Sequence, residues 1–178
     1  MQEVIPGNAQ LIEALSALGT APDAIHHKVD TFGNGYHWFR LDTPRLLTSG
    51  AEALHQHGAR LAMISAYNRR QLSEPMQEAC YHFELDGVIY NLTVTLNGEW
   101  PIVPSITRFF NNADWHEREM MELYGVKVSD HPNPRRLFLD EELDAGILNE
   151  VVPLSIMMNG ACSTDLWERI MSDKEKKA

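Results

Sequence analysis

Hydrophobic side chains recur at helical spacing in two segments near the start of the chain. Residues 8–18 place apolar side chains every three or four positions, with Asn8 as a cap and Gly19 as a stop, and predict a first helix. Residues 43–58 predict a second helix, because Pro44 suits the first helical turn and an apolar stripe follows it.

Strand patterns occupy much of the chain around the second helix. Residues 24–32 and 36–42 are strand-like, and the glycine-containing turn at 33–35 can connect them. Residues 60–67 are apolar on both faces, which predicts a strand in the centre of a sheet.

The clearest strand pattern is a hairpin. Residues 80–85 and 88–97 alternate in polarity around Asp86 and Gly87, a pair that tolerates the positive φ angles of a tight turn. With a third helix further along, the elements follow as helix, two strands, helix, three strands, helix. This order predicts an α+β fold in which helices pack on one face of a mixed, largely antiparallel sheet.

The third helix is short and highly charged, and a proline-broken loop and two arginines follow it. It is predicted at 113–124, where Asn112 or Asp114 can cap its start and Asp114 with Glu117 has the spacing of a capping box. We expect Gly125 to end it in a left-handed conformation.

Glu117 breaks the amphipathic pattern of this helix, because it projects from the apolar arc. The opposite, polar face carries Trp115, Arg118, Glu119 and Glu122. Burying an unpaired carboxylate costs several kcal/mol, so we expect a clamp in which Glu117 pairs with Arg135 or Arg136. The alternative is a half-buried helix in which the Glu117 carboxylate reaches water.

Charge and cysteine content narrow the class of protein. The 178-residue chain has a net charge of −10, which argues against binding to nucleic acid or to an anionic membrane surface but permits a partner with a basic face. Cys80 and Cys162 are too few for a disulfide framework. No apolar stretch is long enough to span a membrane and no signal pattern opens the chain, so we expect a cytoplasmic protein.

Candidate chemistry is sparse. The eight histidines lack the spacing of metal ligands, and the segment from His116 to Glu119 lacks the second histidine of a zinc-protease motif. Ser65 and Ser105 are outside any Gly-x-Ser-x-Gly motif, and neither cysteine has a histidine at a meaningful spacing. We therefore expect no catalytic residue, metal or cofactor. The alternative is a free-standing metal-dependent hydrolase that uses the histidines and Glu117.

The charged helix and its loop resemble a known family. The residues that carry the resemblance are Glu117-Arg118-Glu119, Glu122-Leu123-Tyr124-Gly125, His131 and Arg135-Arg136-Leu137. This set resembles the signature of the 30 kDa subunit family of respiratory complex I, which also occurs in membrane-bound nickel–iron hydrogenases and formate hydrogenlyases. The resemblance is strong over 83–139 and weak elsewhere.

The resemblance implies a cofactor-free structural subunit of a multi-subunit oxidoreductase. Such a subunit packs against the large hydrogenase-like, 49 kDa-type subunit in the arm that carries electrons between iron–sulfur subunits. It meets the membrane only through its partners.

Two branches of the family remain open. NADH dehydrogenase subunits usually follow the arginine pair with Gly-His-Pro-Leu-Arg-Lys-Asp-Phe, and this chain keeps only Pro153-Leu154 of that segment. The departure favours the hydrogenase or formate hydrogenlyase branch over the NADH dehydrogenase branch.

A docking surface is expected around the third helix. We predict one domain at 1–140 and a partner-docking extension at 141–178. The residues that we expect at the interface are Trp115, Pro132, Pro134, Val151 and Leu154. An indole on a charged face often marks an interface, and the prolines stiffen the loop before binding. Alternatively, Trp115 and the tail cover the protein's own core.

Overall fold

The computed structural model of the chain describes residues 7–21, 23–69, 76–96 and 102–138. In chain order, the described elements are α1 (Ala9–Ser16), β1 (Ile25–Val29), β2 (Gly35–Arg40), a 3₁₀ turn (Pro44–Leu46), α2 (Leu47–Gln56), β3 (Arg60–Arg69), β4 (Met76–Leu85), β5 (Val88–Leu96), β6 (Ile102–Pro104), α3 (Ala113–Tyr124) and β7 (Lys127–Ser129). The predicted extension at 141–178, including Val151 and Leu154, lies outside these residues.

Five strands form one mixed sheet in the order β1-β2-β5-β4-β3. Strands β2 and β5 are parallel, and the other neighbouring pairs are antiparallel. The predicted hairpin between β4 and β5 is confirmed, and its two turn residues, Asp86 and Gly87, have φ angles of 52° and 78°. Positive φ at both positions is typical of a tight type I′ turn. The predicted α+β fold is therefore confirmed.

Strand β3 corrects one prediction, because it lies at an edge of the sheet and not in its centre. It pairs with β4 alone within the described sheet. Leu61 and Ile64 are buried, whereas Met63 and Tyr67 are 47% and 40% exposed. The apolar residues on both faces of β3 therefore do not reflect burial on both faces. The central strand is β5, in which seven of nine residues are buried.

Helices α1 and α2 cover the apolar face of the sheet. Asn8 caps α1 as predicted, since its side-chain oxygen accepts a hydrogen bond from the backbone N–H of Leu11 at 3.1 Å. In α2, a Cβ at Gly50 would lie 2.7 Å from a methyl group of Leu92 on β5. The small residue thus lets α2 lie directly on the central strand. None of the described helices is long and apolar enough to cross a membrane.

Helix α3 lies between the two strands of a small second sheet along the chain. Strands β6 and β7 are parallel, with Val103 opposite Val128. The chain therefore enters and leaves α3 on neighbouring strands. This arrangement brings the segment at 105–107 and the loop at 131–138, called here the C-terminal loop, close to the helix.

The two ends of α3 differ from each other in how well they were predicted. Gly125 has φ 67° and ψ 17°, so its predicted left-handed conformation is confirmed. The predicted capping box is wrong. Asn112 makes no side-chain cap and donates instead to the carbonyl of Leu61 at 2.9 Å, while Glu117 turns towards Ile106. Tertiary hydrogen bonds have replaced the local ones.

Substitution of Gly125 tests the left-handed end of α3. We expect Gly125→Val to lower the free energy of unfolding by about 1–2 kcal/mol or more, because a β-branched side chain is strained at positive φ. Gly125→Asn should cost less, since asparagine tolerates this conformation better than most residues. Denaturant unfolding of both variants measures the difference, and equal losses would contradict this explanation.

Candidate functional site

The carboxylate of Glu117 lies in the core, and its side chain is fully buried. Its Oε1 accepts a hydrogen bond from the backbone N–H of Ile106 at 2.8 Å, and its Oε2 accepts one from the hydroxyl of Ser105 at 2.7 Å. Two short hydrogen bonds from the segment that precedes α3 thus satisfy a buried carboxylate. The expected burial of Glu117 is confirmed, and the half-buried alternative is wrong.

The predicted partner of Glu117 is wrong. Neither Arg135 nor Arg136 contacts its carboxylate, and among the described residues the cationic type that approaches it is a histidine, His131, at 3.5 Å. Arg135 is exposed, and its Nε donates to the side-chain oxygen of Asn133 at 2.8 Å. The chain path after β7 carries the arginine pair past the side of α3 that faces away from Glu117.

Burial dominates the electrostatics of Glu117. Loss of solvent raises the pKa of its carboxyl group to about 7, and the hydrogen bonds from Ile106 and Ser105 oppose this rise only in part. The negative charge of Asp114, on the same helix, raises the pKa further. Burial and then the charge of Glu117 also raise the pKa of Tyr81 on β4.

His131 joins the C-terminal loop to this carboxylate. We expected the histidines to be surface or loop residues, and His131 is a loop residue whose side chain is only 1% exposed. Its Nδ1 accepts a hydrogen bond from the backbone N–H of Asn133 at 3.0 Å. The proton of the neutral ring therefore sits on Nε2, which faces the backbone oxygen of Asp114 at 3.3 Å and Glu117 at 3.5 Å.

A second set of contacts, here called the helix–loop latch, holds the C-terminal loop on the other side of α3. The guanidinium of Arg118 donates to the carbonyl oxygens of Arg135 at 2.7 Å and Arg136 at 2.6 Å. The carboxylate of Glu122 accepts from the backbone N–H groups of Leu137 at 3.0 Å and Phe138 at 3.2 Å. A clamp between helix and loop therefore exists, but it uses a different carboxylate from the predicted one.

The latch also corrects the assignment of Glu122 to a solvent-facing position. Glu122 is 3% exposed. It does lie on the polar face of the helix, but the C-terminal loop folds over that part of the face. Glu119, on the same helix, is partly exposed. Periodicity separated polar from apolar positions correctly, and the path of the loop decided which polar positions meet water.

Beside the latch, α3 and the loop present an exposed surface. Trp115 is 67% exposed and Phe138 is 60% exposed, so the alternative in which the Trp115 side chain is covered by the protein's own chain is wrong. Pro132 and Pro134 are exposed as well. A groove of about 210 Å³ separates helix and loop, and it is lined by Arg118, Met121, Glu122, Pro134, Arg135 and Arg136.

Sequence reasoning missed a polar row on the sheet face opposite to the helices. The hydroxyl of Ser65 lies 3.1 Å from Nε2 of His82, and Nδ1 of that ring lies 2.6 Å from the side-chain oxygen of Asn91. The Asn91 amide donates to the carbonyl of His37, so its oxygen faces the imidazole and His82 Nδ1 is the donor. Strand pairing brings these residues together, and only the register of β3, β4 and β5 could have revealed it.

The polar row gives little support to a hydrolase. Burial raises the pKa of the neighbouring Cys80 thiol, which therefore stays protonated and weakly nucleophilic. Within the described residues, no three His, Cys, Asp or Glu side chains converge as metal ligands do. The histidines predicted as hydrolase ligands lie on separate elements, and only His131 meets Glu117.

The latch predicts that Glu122 contributes more to stability than its sequence position suggests. We expect Glu122→Ala to lower the free energy of unfolding by about 1–3 kcal/mol, because two backbone N–H groups lose a charged acceptor. Glu119→Ala, on the same helix, is the matched control and should change stability by less than about 0.5 kcal/mol. Denaturant unfolding gives both values. Equal effects of the two substitutions would show that the latch contributes nothing.

Comparison with known proteins places these features in a family. The sequence model of the family "Respiratory-chain NADH dehydrogenase, 30 Kd subunit" matches residues 43–160. The C/D subunit of NADH-quinone oxidoreductase from Shewanella woodyi is 30% identical over 166 residues, which are 93% of this chain and 23% of that protein. The C subunit of NADH-quinone oxidoreductase from Rhodopseudomonas palustris is 45% identical over 58 residues, which are 33% of this chain and 28% of that one.

Solved structures share the fold. A trypsin-resistant fragment of Nqo5 superimposes with a TM-score of 0.52 at 20% identity, covering 70% of this chain and 96% of the fragment. A chain of an archaeal membrane-bound sulfane sulfur reductase superimposes with a TM-score of 0.53 at 14% identity, covering 75% of each chain.

The extent of the matches differs between the two partners of each comparison. The aligned part spans about a quarter of the length of the two curated relatives described above. The family model, in contrast, matches more than half of this chain and includes α3, the latch and the C-terminal loop. The chain therefore belongs to the family of the 30 kDa subunit of respiratory-chain NADH dehydrogenase.

Proposed function

We propose that this chain is a non-catalytic, cofactor-free structural subunit of a multi-subunit, membrane-associated oxidoreductase of the complex I type. The observation that carries the proposal is the alignment over 93% of the chain with a subunit of NADH-quinone oxidoreductase. The geometry of α3 supports it, since its charged residues are engaged in holding a helix and a loop together.

The proposed partner is the large, 49 kDa-type subunit, with the iron–sulfur subunits of the same complex nearby. The name of the Shewanella woodyi relative joins the C and D subunits in one protein, and the part that matches this chain is only 23% of its length. A fused relative supports close packing between a C-type module and a D-type module. The net charge of −10 favours a partner surface that carries basic residues.

The proposed interface is the exposed surface around the latch. Trp115 and Phe138 supply large apolar side chains, which are common anchors of protein interfaces. Pro132 and Pro134 stiffen the loop, and the latch fixes it to α3, so little conformational entropy is lost on docking. We propose that the tail residues Val151 and Leu154 extend the same interface.

The membrane association of the chain is proposed to be indirect. Its described helices include none that could span a bilayer, so other subunits would hold it at the cytoplasmic side of the membrane. The NADH:quinone oxidoreductase branch and the hydrogenase or formate hydrogenlyase branch both accommodate this role. Purification of the complex through a tagged copy of this chain, followed by mass spectrometry of its subunits, distinguishes the branches.

Substitution of Trp115 tests the interface. We expect Trp115→Ala to reduce co-purification of the co-expressed large subunit at least about tenfold, because truncating an interface hot spot costs about 2 kcal/mol or more. Hydrogen exchange should show protection at 115–138 that appears only in the complex. Affinity purification with quantitative mass spectrometry measures the first effect.

The matched control for this experiment is Phe32→Ala. Phe32 is 89% exposed and lies between β1 and β2, outside the proposed interface. Its removal should leave co-purification unchanged. Full protection of 115–138 in the isolated chain, with normal co-purification of Trp115→Ala, would rule this surface out.

A further inference from the structure

Four elements contribute polar groups around the buried carboxylate of Glu117. Ser105 comes from the segment before α3, Asp114 from the first turn of α3, His131 from the C-terminal loop and Tyr81 from β4. The hydroxyl of Tyr81 is fully buried and finds no hydrogen-bond partner among the described residues. The environment of Glu117 is thus polar, enclosed and built from parts of the chain that are distant in sequence.

The charges around Glu117 do not neutralise it. Arg118 lies 3.6 Å from the carboxylate of Asp114 and donates to the carbonyl groups of the latch. No lysine or arginine in the described ranges contacts Glu117. Its titratable neighbours there are therefore Asp114, Tyr81 and His131, of which only His131 can become a cation.

The structure indicates which member of the pair binds a proton. A second proton on His131 would have to sit on Nδ1, and this nitrogen already accepts a hydrogen bond from the N–H of Asn133. Protonation of the ring would place two hydrogens against each other and break that bond. The carboxylate of Glu117 has no such conflict, so the proton goes to Glu117 and His131 stays neutral.

The hydrogen bonds of Ser105 accommodate both states of Glu117. The Ser105 hydroxyl lies 2.7 Å from the carboxylate and 2.8 Å from the hydroxyl of Thr107. When Glu117 is ionised, Ser105 donates to it. When Glu117 is protonated, its O–H can donate to Ser105, which then donates to Thr107, so neither side chain has to move.

His131 is the side chain that can yield when the carboxylate is ionised. Its ring lies in the C-terminal loop beside Asp130, whose φ of 58° is strained for a non-glycine residue. Displacement of this turn, defined here as the His131 turn (residues 130–133), would open a path for water to Glu117. We propose that Glu117 and His131 form a proton-binding site whose ionisation near neutral pH loosens the His131 turn from α3.

The sign of the effect follows from linkage. The pKa of Glu117 in the closed state is raised to about 7, above its value in water. Stability of the closed turn is therefore fully present below the pKa of the solvated carboxyl group, about 4.5, and is lost as the pH rises through about 7. Acid favours the closed turn, and mild alkali favours its opening.

Nuclear magnetic resonance of the full chain tests the proposal. With ¹³C-labelled glutamate, the carboxyl carbon of Glu117, assigned by its absence in Glu117→Gln, should titrate near pH 7, whereas exposed glutamates titrate at about 4–5. The hydrogen-exchange protection factor of the Asn133 amide should fall about tenfold between pH 6 and pH 8.5. The ¹⁵N shifts of His131 should stay those of the neutral Nε2–H tautomer throughout.

Two variants complete the test. In Glu117→Gln, the protection factor of Asn133 should no longer depend on pH, and Glu119→Gln should behave like the wild type. A Glu117 midpoint at pH 4–5 in the wild-type chain would overturn the proposal, even if Glu117→Gln fails to fold. Equal pH dependence of Asn133 protection in the wild type and Glu117→Gln would overturn it as well.

Discussion

The hydrogen bonds that the buried Glu117 carboxylate accepts from Ser105 and Ile106 fix helix α3 to the chain segment that leads into it. A carboxylate without solvent must be satisfied by donors, because an unsatisfied charge in the core would cost several kcal/mol. The donors come from one short segment, so they set both the position and the rotation of the helix. The placement of every other residue on α3 depends on this attachment.

Glu122 completes the attachment on a different side of the helix. It follows Glu117 by five residues, which at about 100° per residue separates the two carboxylates by roughly 140°. Glu117 therefore binds the segment before α3, while Glu122 and Arg118 bind the loop after it. Both flanking segments fold onto the helix, and the face left between them presents Trp115 to solvent.

This division of roles explains how a strongly charged helix can serve a structural purpose. Its buried charges bond backbone groups of neighbouring segments and leave the apolar Trp115 and Phe138 at the surface. Members of one family can then keep a common helix–loop unit while the rest of the chain varies. The fold similarity at 14–20% identity fits this view.

The sequence by itself determined the elements and much of the family signature. Alternating polarity predicted the β4–β5 hairpin, and the glycine after Tyr124 predicted the left-handed end of α3, because both depend on neighbouring residues alone. The apolar arc of α3 also predicted that Glu117 is buried. Only the tertiary structure decided its partners, since Ser105 and His131 reach it through the paths of β6 and β7. Likewise, periodicity could not show that Glu122 is covered, because a loop far along the chain excludes the water from it.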